Sequence, residues 1–441
     1  MHPQTASLHY IRGLFVGISL SVLATVLSTL GFFRSFENTV FDFLIWWEQD
    51  KRSAFVLLVD IDDRDYRDLF HSTSPLSREK ISEIILKIAR AKPRAIGIDV
   101  DLSDPTPEDH FLLDALERLN VQKIPVIIPL SFDMQSGAEG REKLNSSGPL
   151  ASRLPENVLA GVAEFPIYKD GVIREMQLTV KSHSGEIYPS VPLAAIAASE
   201  GYQQGALSEA LGQFAEGHSS SEESPSKTRE LLMDARHNSL QKIQYIGDKR
   251  SFAVLRSSVL DSTPDKYFRP GSIFSDKIIV VGGTFKISRD FYATPKGAMS
   301  GVEIVANSID TLLNAKRVKP LNHVLELMFE IIMVLVMTGI FVKLEPLKAT
   351  VVSLVSIAPL SLAGSAFAFT RLSCWVNFIP TAVSIFIHGE ISFFEHYAHL
   401  KAEVKSLALA LAGKDRELSA VQEKVHVRDE TEAVQIREEG S

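Results

Sequence analysis

The 441 residues include 45% hydrophobic and 23% charged side chains, and the mean hydropathy is +0.09, a balance that fits an integral membrane protein carrying one substantial soluble domain. A formal net charge of -8 gives no reason to expect nucleic acid as a partner. The only cysteine, Cys374, excludes an intrachain disulfide and a cysteine-based zinc site.

The first element is an uncharged apolar run, residues 13–33, long enough to cross a bilayer as a helix. Arg12 is the only basic residue before it and no small-x-small cleavage site follows, so the run reads as a retained anchor rather than a cleaved signal. Gly13, Gly17, Ser21, Thr25 and Thr29 recur every four residues. Such a stripe of small side chains predicts a packing face, either within the chain or across a dimer.

Residues 36–320 read as a mixed α/β domain with a mainly parallel sheet. FVLLVDID (55–62) and AIGIDVDL (95–102) are continuous apolar runs ending in acids, the pattern of strands buried on both faces. Between them Ser77 caps a helix whose Ile81, Ile84, Ile85 and Ile88 follow helical spacing. A helix over 107–119 and the strand PVIIPLSF continue the alternation, which argues for parallel strands joined by crossover helices. An antiparallel pair is expected from 158–165 and 172–180 around the turn dipeptide Asp170-Gly171. A short alanine-rich helix over 189–199 follows. The stretch 203–238, centred on SSSEESPSK, has linker composition and is expected to be a disordered insertion. KIIVVGG (277–283) is the last strong strand, and a helix over 301–313 leads towards the next apolar run.

Three further candidate spans follow at 324–342, 349–370 and 372–390. Lys343 and Lys348 flank one short loop, Arg371 another, and Lys401, Lys405 and Lys414 follow the last run. This bias places residues 1–12, the Lys343 loop and the tail 395–441 in the cytoplasm, and the domain outside. In the tail, Val404, Leu411, Leu418 and Val425 recur at sevens, the seam of a dimeric coiled coil, although a single solvated helix accounts for the same pattern.

Several segments together resemble the type 2 CHASE domain, a family of extracytoplasmic sensor domains of bacterial receptors. LLVDIDD resembles the family's strand ending in Ile-Asp-Asp. SPLSREK resembles its Trp-Pro-x-x-Arg element, with Pro75 and Arg78 present and the tryptophan missing. AIGIDVDLSDP resembles the second-strand motif, and Gly161, Asp170, Gly171 and Arg174 match the Gly…Asp-Gly-x-x-Arg segment. The run SDKIIVVGGTFKISRDFYATPKGAMSGVEIVANSIDTLL resembles the closing signature, with Val305 where the family usually has histidine. The resemblance implies a multi-pass receptor of the bacterial inner membrane that senses an extracytoplasmic ligand. Such sensors commonly continue into a cyclase or kinase. Here only a short helical tail follows, so a separate cytoplasmic protein is expected to supply the output, and the chain is not expected to be an enzyme.

The candidate ligand residues are Asp62, Asp63, Asp99 and Asp101 at the ends of two strands, with Asp290, Thr294 and Glu303 placed by topology in the same crevice. Ligands of open α/β sheets bind beyond the carboxyl ends of the strands. The competing account is that these acids cap turns and helices. VVGGTFKISRD follows a strand but matches no phosphate-loop pattern, so its glycines point to close backbone approach or positive φ. His71 and His110 are isolated. His388, His396 and His399 cluster beside the last span without the further ligands a metal needs. No cofactor or metal is expected. The alternatives to a receptor are a scaffolding subunit and, less favoured for want of internal repeats, a transporter.

Overall fold

The computed structural model describes residues 3–133, 143–145, 153–181, 186–215, 226–237, 239–314, 318–320 and 323–439. It divides into two units: residues 38–320 with 368–375, and a helical unit built from the remainder. Helices α1 (Pro3–Thr29) and α2 (Arg34–Trp47) lead into the first of these.

The α/β unit is organised on one sheet, whose strands we number along the chain: β1 (Val56–Ile61), β2 (Ala95–Asp99), β3 (Val126–Asp133), β4 (Lys143–Asn145), β5 (Val158–Val162), β6 (Ala253–Arg256) and β7 (Ile278–Gly283). Six run parallel in the order β6-β1-β7-β2-β3-β5, and β4 pairs antiparallel with the end of β3. The apolar runs at β1, β2 and β7 are buried on both faces because helices cover each side. Leu57, Val59 and Ile61 face α4 (Arg78–Ala89) and α5 (Asp109–Val121) in one core with Phe268 and Phe274. The short α3 (Asp63–Asp68) follows β1 directly. The opposite face carries α6 (Val191–Ser199) and α10 (Gly301–Leu313), both almost entirely buried.

The strands that end in Asp62 and Asp99 are not neighbours: β7 lies between them, hydrogen-bonded to both. Two expectations for this unit need correction. Residues 158–162 do not form a hairpin with 172–180 but pair parallel with β3, where Gly161 lets the strand meet α6. A Cβ at Gly161 would stand 2.8 Å from Val191 Cα. The Asp170-Gly171 turn does form, with Gly171 at φ +77. Finally, the expected disordered stretch 203–238 contains α7 (Gln204–Ala215) and α8 (Lys227–His237). Leu207, Leu211, Leu231 and Leu232 give these helices enough apolar surface to bury, and all four are buried. Its serine-rich centre, 216–225, lies outside the described residues. A single turn, α9 (Val259–Ser262), follows β6.

The helical unit packs α1 with α11 (His323–Lys343), α12 (Pro346–Phe367) and α13 (Ile379–Glu439). The small-residue stripe is an internal packing face where Gly17 meets Val334 and where Ser21 and Thr25 donate to the buried Glu330 at 3.0 and 2.7 Å. The segment expected to span from 372 instead contains a short strand, Cys374–Trp375, and its helix begins at Ile379. By length and composition one described helix, Pro346–Leu372, suffices to cross a membrane. A second counts if Leu14–Thr29 and Arg34–Trp47 are taken as one bent span.

Candidate functional site

A cavity of about 370 Å³ opens at the carboxyl ends of β2 and β7, closed on one side by the loop that joins α3 to α4. Tyr66 and Phe285 form an aromatic wall, stacked with centroids 4.4 Å apart. Leu76 and Val100 line the inside, and Thr73, Ser74 and Ser288 supply hydroxyls at the rim. Asp99, Asp101, Asp104 and Asp290 contribute carboxylates, and among the described residues no lysine or arginine lines the cavity. The loop after β2 is held in place by Arg78. Its guanidinium is fully buried and donates to the carbonyls of Asp101 and Asp104 at 3.1 and 3.4 Å. Burial lowers the pKa of that guanidinium from the ordinary arginine value.

The predicted residues separate into two groups. Asp99, Asp101 and Asp290 line the cavity. Burial and the negative charge of Asp290 push the Asp99 carboxyl up to about 7. Among the described residues no hydrogen bond to its side chain offsets this. Asp290 is also raised by burial, against hydrogen bonds from Tyr292 and the Gly301 amide at the start of α10. Asp101 accepts from the Ser103 amide and hydroxyl at 2.9 and 2.6 Å.

The others do not line it. Asp62 caps α3, accepting from the amides of Arg64 and Asp65 at 2.9 Å. Asp63 accepts from the Lys286 amide at 2.9 Å. Thr294 closes the turn between the paired strands Phe291–Thr294 and Gly297–Ser300, donating to the Gly297 carbonyl at 2.7 Å. Glu303 forms a capping box with Ser300 at 2.8 Å and also accepts from the Lys249 amide. Gly282 and Gly283 serve close approach, to Val302 and to the Phe285 ring, and neither has a positive φ. Among the described residues no group of three or more His, Cys, Asp or Glu could hold a metal ion.

Reading the sequence missed the aromatic wall, Asp104 and Asp60. Asp60 is buried at the end of β1 and accepts from Thr284 Oγ1 at 2.5 Å. A second omission lies outside the cavity. Arg174, in the Asp-Gly-x-x-Arg segment, is buried and holds Asp42 of α2 through Nε and Nη2 at 2.8 and 2.7 Å. It also holds Asp170 at 3.0 and 2.7 Å, which lowers that carboxyl's pKa. The adjoining Ile173 amide donates to Ala293 at 2.9 Å, so this segment is hydrogen-bonded to the strand that begins after Asp290. Asp42 precedes the first sheet strand, and nothing local in the sequence marks it as a partner.

No curated protein and no solved structure gives a match to the chain. The family model of the CHASE2 domain matches residues 18–342, well over half of the 441 residues. With the sheet, the Arg78 and Arg174 anchors and the closing signature all in place, the chain belongs to the CHASE2 domain family of extracytoplasmic sensor domains.

Proposed function

We propose that this chain is a multi-pass receptor of the bacterial inner membrane, in which the cavity at the carboxyl ends of β2 and β7 binds a small extracytoplasmic ligand. One observation carries the reading. The cavity's Asp290 adjoins a hairpin that is hydrogen-bonded to the 172–174 segment, and Arg174 of that segment grips Asp42 of α2, a helix that starts five positions after α1 ends. A change at the cavity therefore has a contiguous route to the chain's entry from the membrane. A ligand shifts such a system only as far as it binds two arrangements unequally. The cavity is assigned to binding rather than turnover.

In this reading the spans are α1, α11, α12 and the first part of α13, with both ends cytoplasmic. Val404, Leu411 and Leu418 are exposed along α13, and a homodimer would bury that seam and present the tail to a separate output protein. Alkaline phosphatase fused after residue 215 should be active and after residue 345 inactive; the reverse pattern would overturn the topology. Single cysteines at Leu411 and Leu418 should cross-link in membranes far better than one at Lys414, and equal yields would remove the dimeric seam.

A further inference from the structure

Helix α2 has a face that no described residue of the α/β unit covers. Phe36, Val40, Phe43 and Trp47 follow the three- and four-residue spacing of one helix face. Trp46 stands beside them. Phe36, Phe43, Trp46 and Trp47 are 66%, 43%, 64% and 67% exposed, and the Phe43 ring lies 6.2 and 5.9 Å from those of Trp46 and Trp47. No charged residue interrupts this face; Asp42 and Arg34 lie on other sides of the helix. Exposed aromatic area on this scale marks an interaction surface.

Chain connectivity identifies what covers it. Arg34 lies five positions after Thr29, a reach of at most about 18 Å, so α2 starts close to the end of an apolar span. Glu37, in its first turn, accepts from Asn377, just ahead of α13, at 2.8 Å. Phe41, on its buried side, packs edge-on against Phe369 and Trp375, 6.0 and 5.8 Å away. Those two residues belong to the connector between α12 and α13. Both the start and the middle of α2 are thus tied to segments that run directly into apolar helices. Its 14 residues make about 21 Å of helix, too short to cross the hydrocarbon core.

We infer that α2 lies along the outer surface of the bilayer, with Phe43, Trp46 and Trp47 in the interfacial layer among lipid headgroups, where tryptophan is favoured. This rests on the membrane reading above. It makes the helix that Arg174 grips a lipid-contacting element of the sensor domain.

The test uses full-length protein in phosphatidylcholine–phosphatidylglycerol vesicles. The chain has three tryptophans, so Trp375→Phe leaves Trp46 and Trp47 as the emitters. Lipids brominated at a shallow acyl position should quench them more than lipids brominated deep in the chain, and aqueous iodide should quench them little. A reference protein lacking the native tryptophans carries Val355→Trp, 70% exposed in the middle of α12; it should be quenched most by the deep label. If the reference is lipid-quenched but Trp46 and Trp47 respond only to iodide, the face lies in water and the inference fails. If they respond to neither, protein covers the face, as in a second copy, and the inference also fails. A reference that no lipid quenches would overturn the membrane reading itself. Should Trp375→Phe disturb the packing on Phe41, the measurement is repeated with all three tryptophans, because Trp375 is only 9% exposed and adds a constant background.

Discussion

Asp99→Asn should make the protein more stable at pH 8 while leaving it unchanged below about pH 4. In the folded chain the Asp99 carboxyl titrates near 7, against an ordinary value of 3.8. Between those values the folded state holds a proton that the unfolded state has released. Stability is therefore highest at low pH, falls as pH rises towards 7, and is level above it. At 1.36 kcal/mol per pH unit, a gap of about three units sets an upper limit of about 4 kcal/mol. The open mouth of the cavity screens part of this, leaving about 2–4 kcal/mol. Asparagine keeps the shape, carries no charge and forfeits no side-chain hydrogen bond made by Asp99 among the described residues. Thermal melts of both proteins from pH 4 to 8.5 should separate by roughly 4–10 °C at the alkaline end for a unit of this size. Asp60 and Asp310 are also raised by burial and tilt both curves alike, whereas Asp290 is coupled to Asp99, so the difference between the curves reports the Asp99–Asp290 pair. A difference that does not change with pH, or a variant less stable at pH 8, would refute the reasoning.

Three other substitutions test the framework. Arg174→Met leaves Asp42 and Asp170 without their cation; because those side chains are 28% and 50% exposed, the cost should fall below the range for a fully buried pair, at about 2–3 kcal/mol. Adding Asp42→Asn should recover part of it, and additive melting shifts in the double variant would argue against the coupling. Gly161→Ala places a methyl 2.8 Å from the Val191 backbone, which cannot turn aside, so thermal or denaturant unfolding should register a loss of about 1–3 kcal/mol. Glu303→Ala removes the capping box and the Lys249 contact and should cost about 1–2 kcal/mol, while the Asp99 pH step remains in the melting curves.

The sequence revealed local features more readily than the pairing of distant segments. Ser77 and the isoleucines of α4 form the predicted capped helix, because capping and 3.6-residue spacing are properties of neighbouring residues. The order of strands is not. β7 enters between β1 and β2 after a long excursion, and an apolar run buried on both faces fits equally well anywhere inside a sheet. The same reasoning explains the missed partner of 158–162, where a favourable turn at Gly171 suggested a hairpin that β3 outcompeted. In 203–238 the serines and glutamates at the centre masked short apolar stripes on either side. Leu207 and Leu231 are fully buried, so two helices needed only a few leucines each to dock.

The acids of the candidate site show how a structure divides what a sequence leaves together. Asp62, Asp63 and Glu303 each accept amide protons. Caps of that kind are needed wherever a strand turns into a helix, so they account for these carboxylates without any ligand. Asp99 stands apart: it lines a cavity beside a second carboxylate, and no described donor offsets its burial. Partly buried and lining the cavity with Tyr66, Phe285 and Asp290, its carboxylate is placed to meet a hydrogen-bond donor or a cation that enters. The same substitution that tests the pH step thus also tests binding, since Asp99→Asn should gain stability and lose whatever affinity the cavity has for a positively charged ligand.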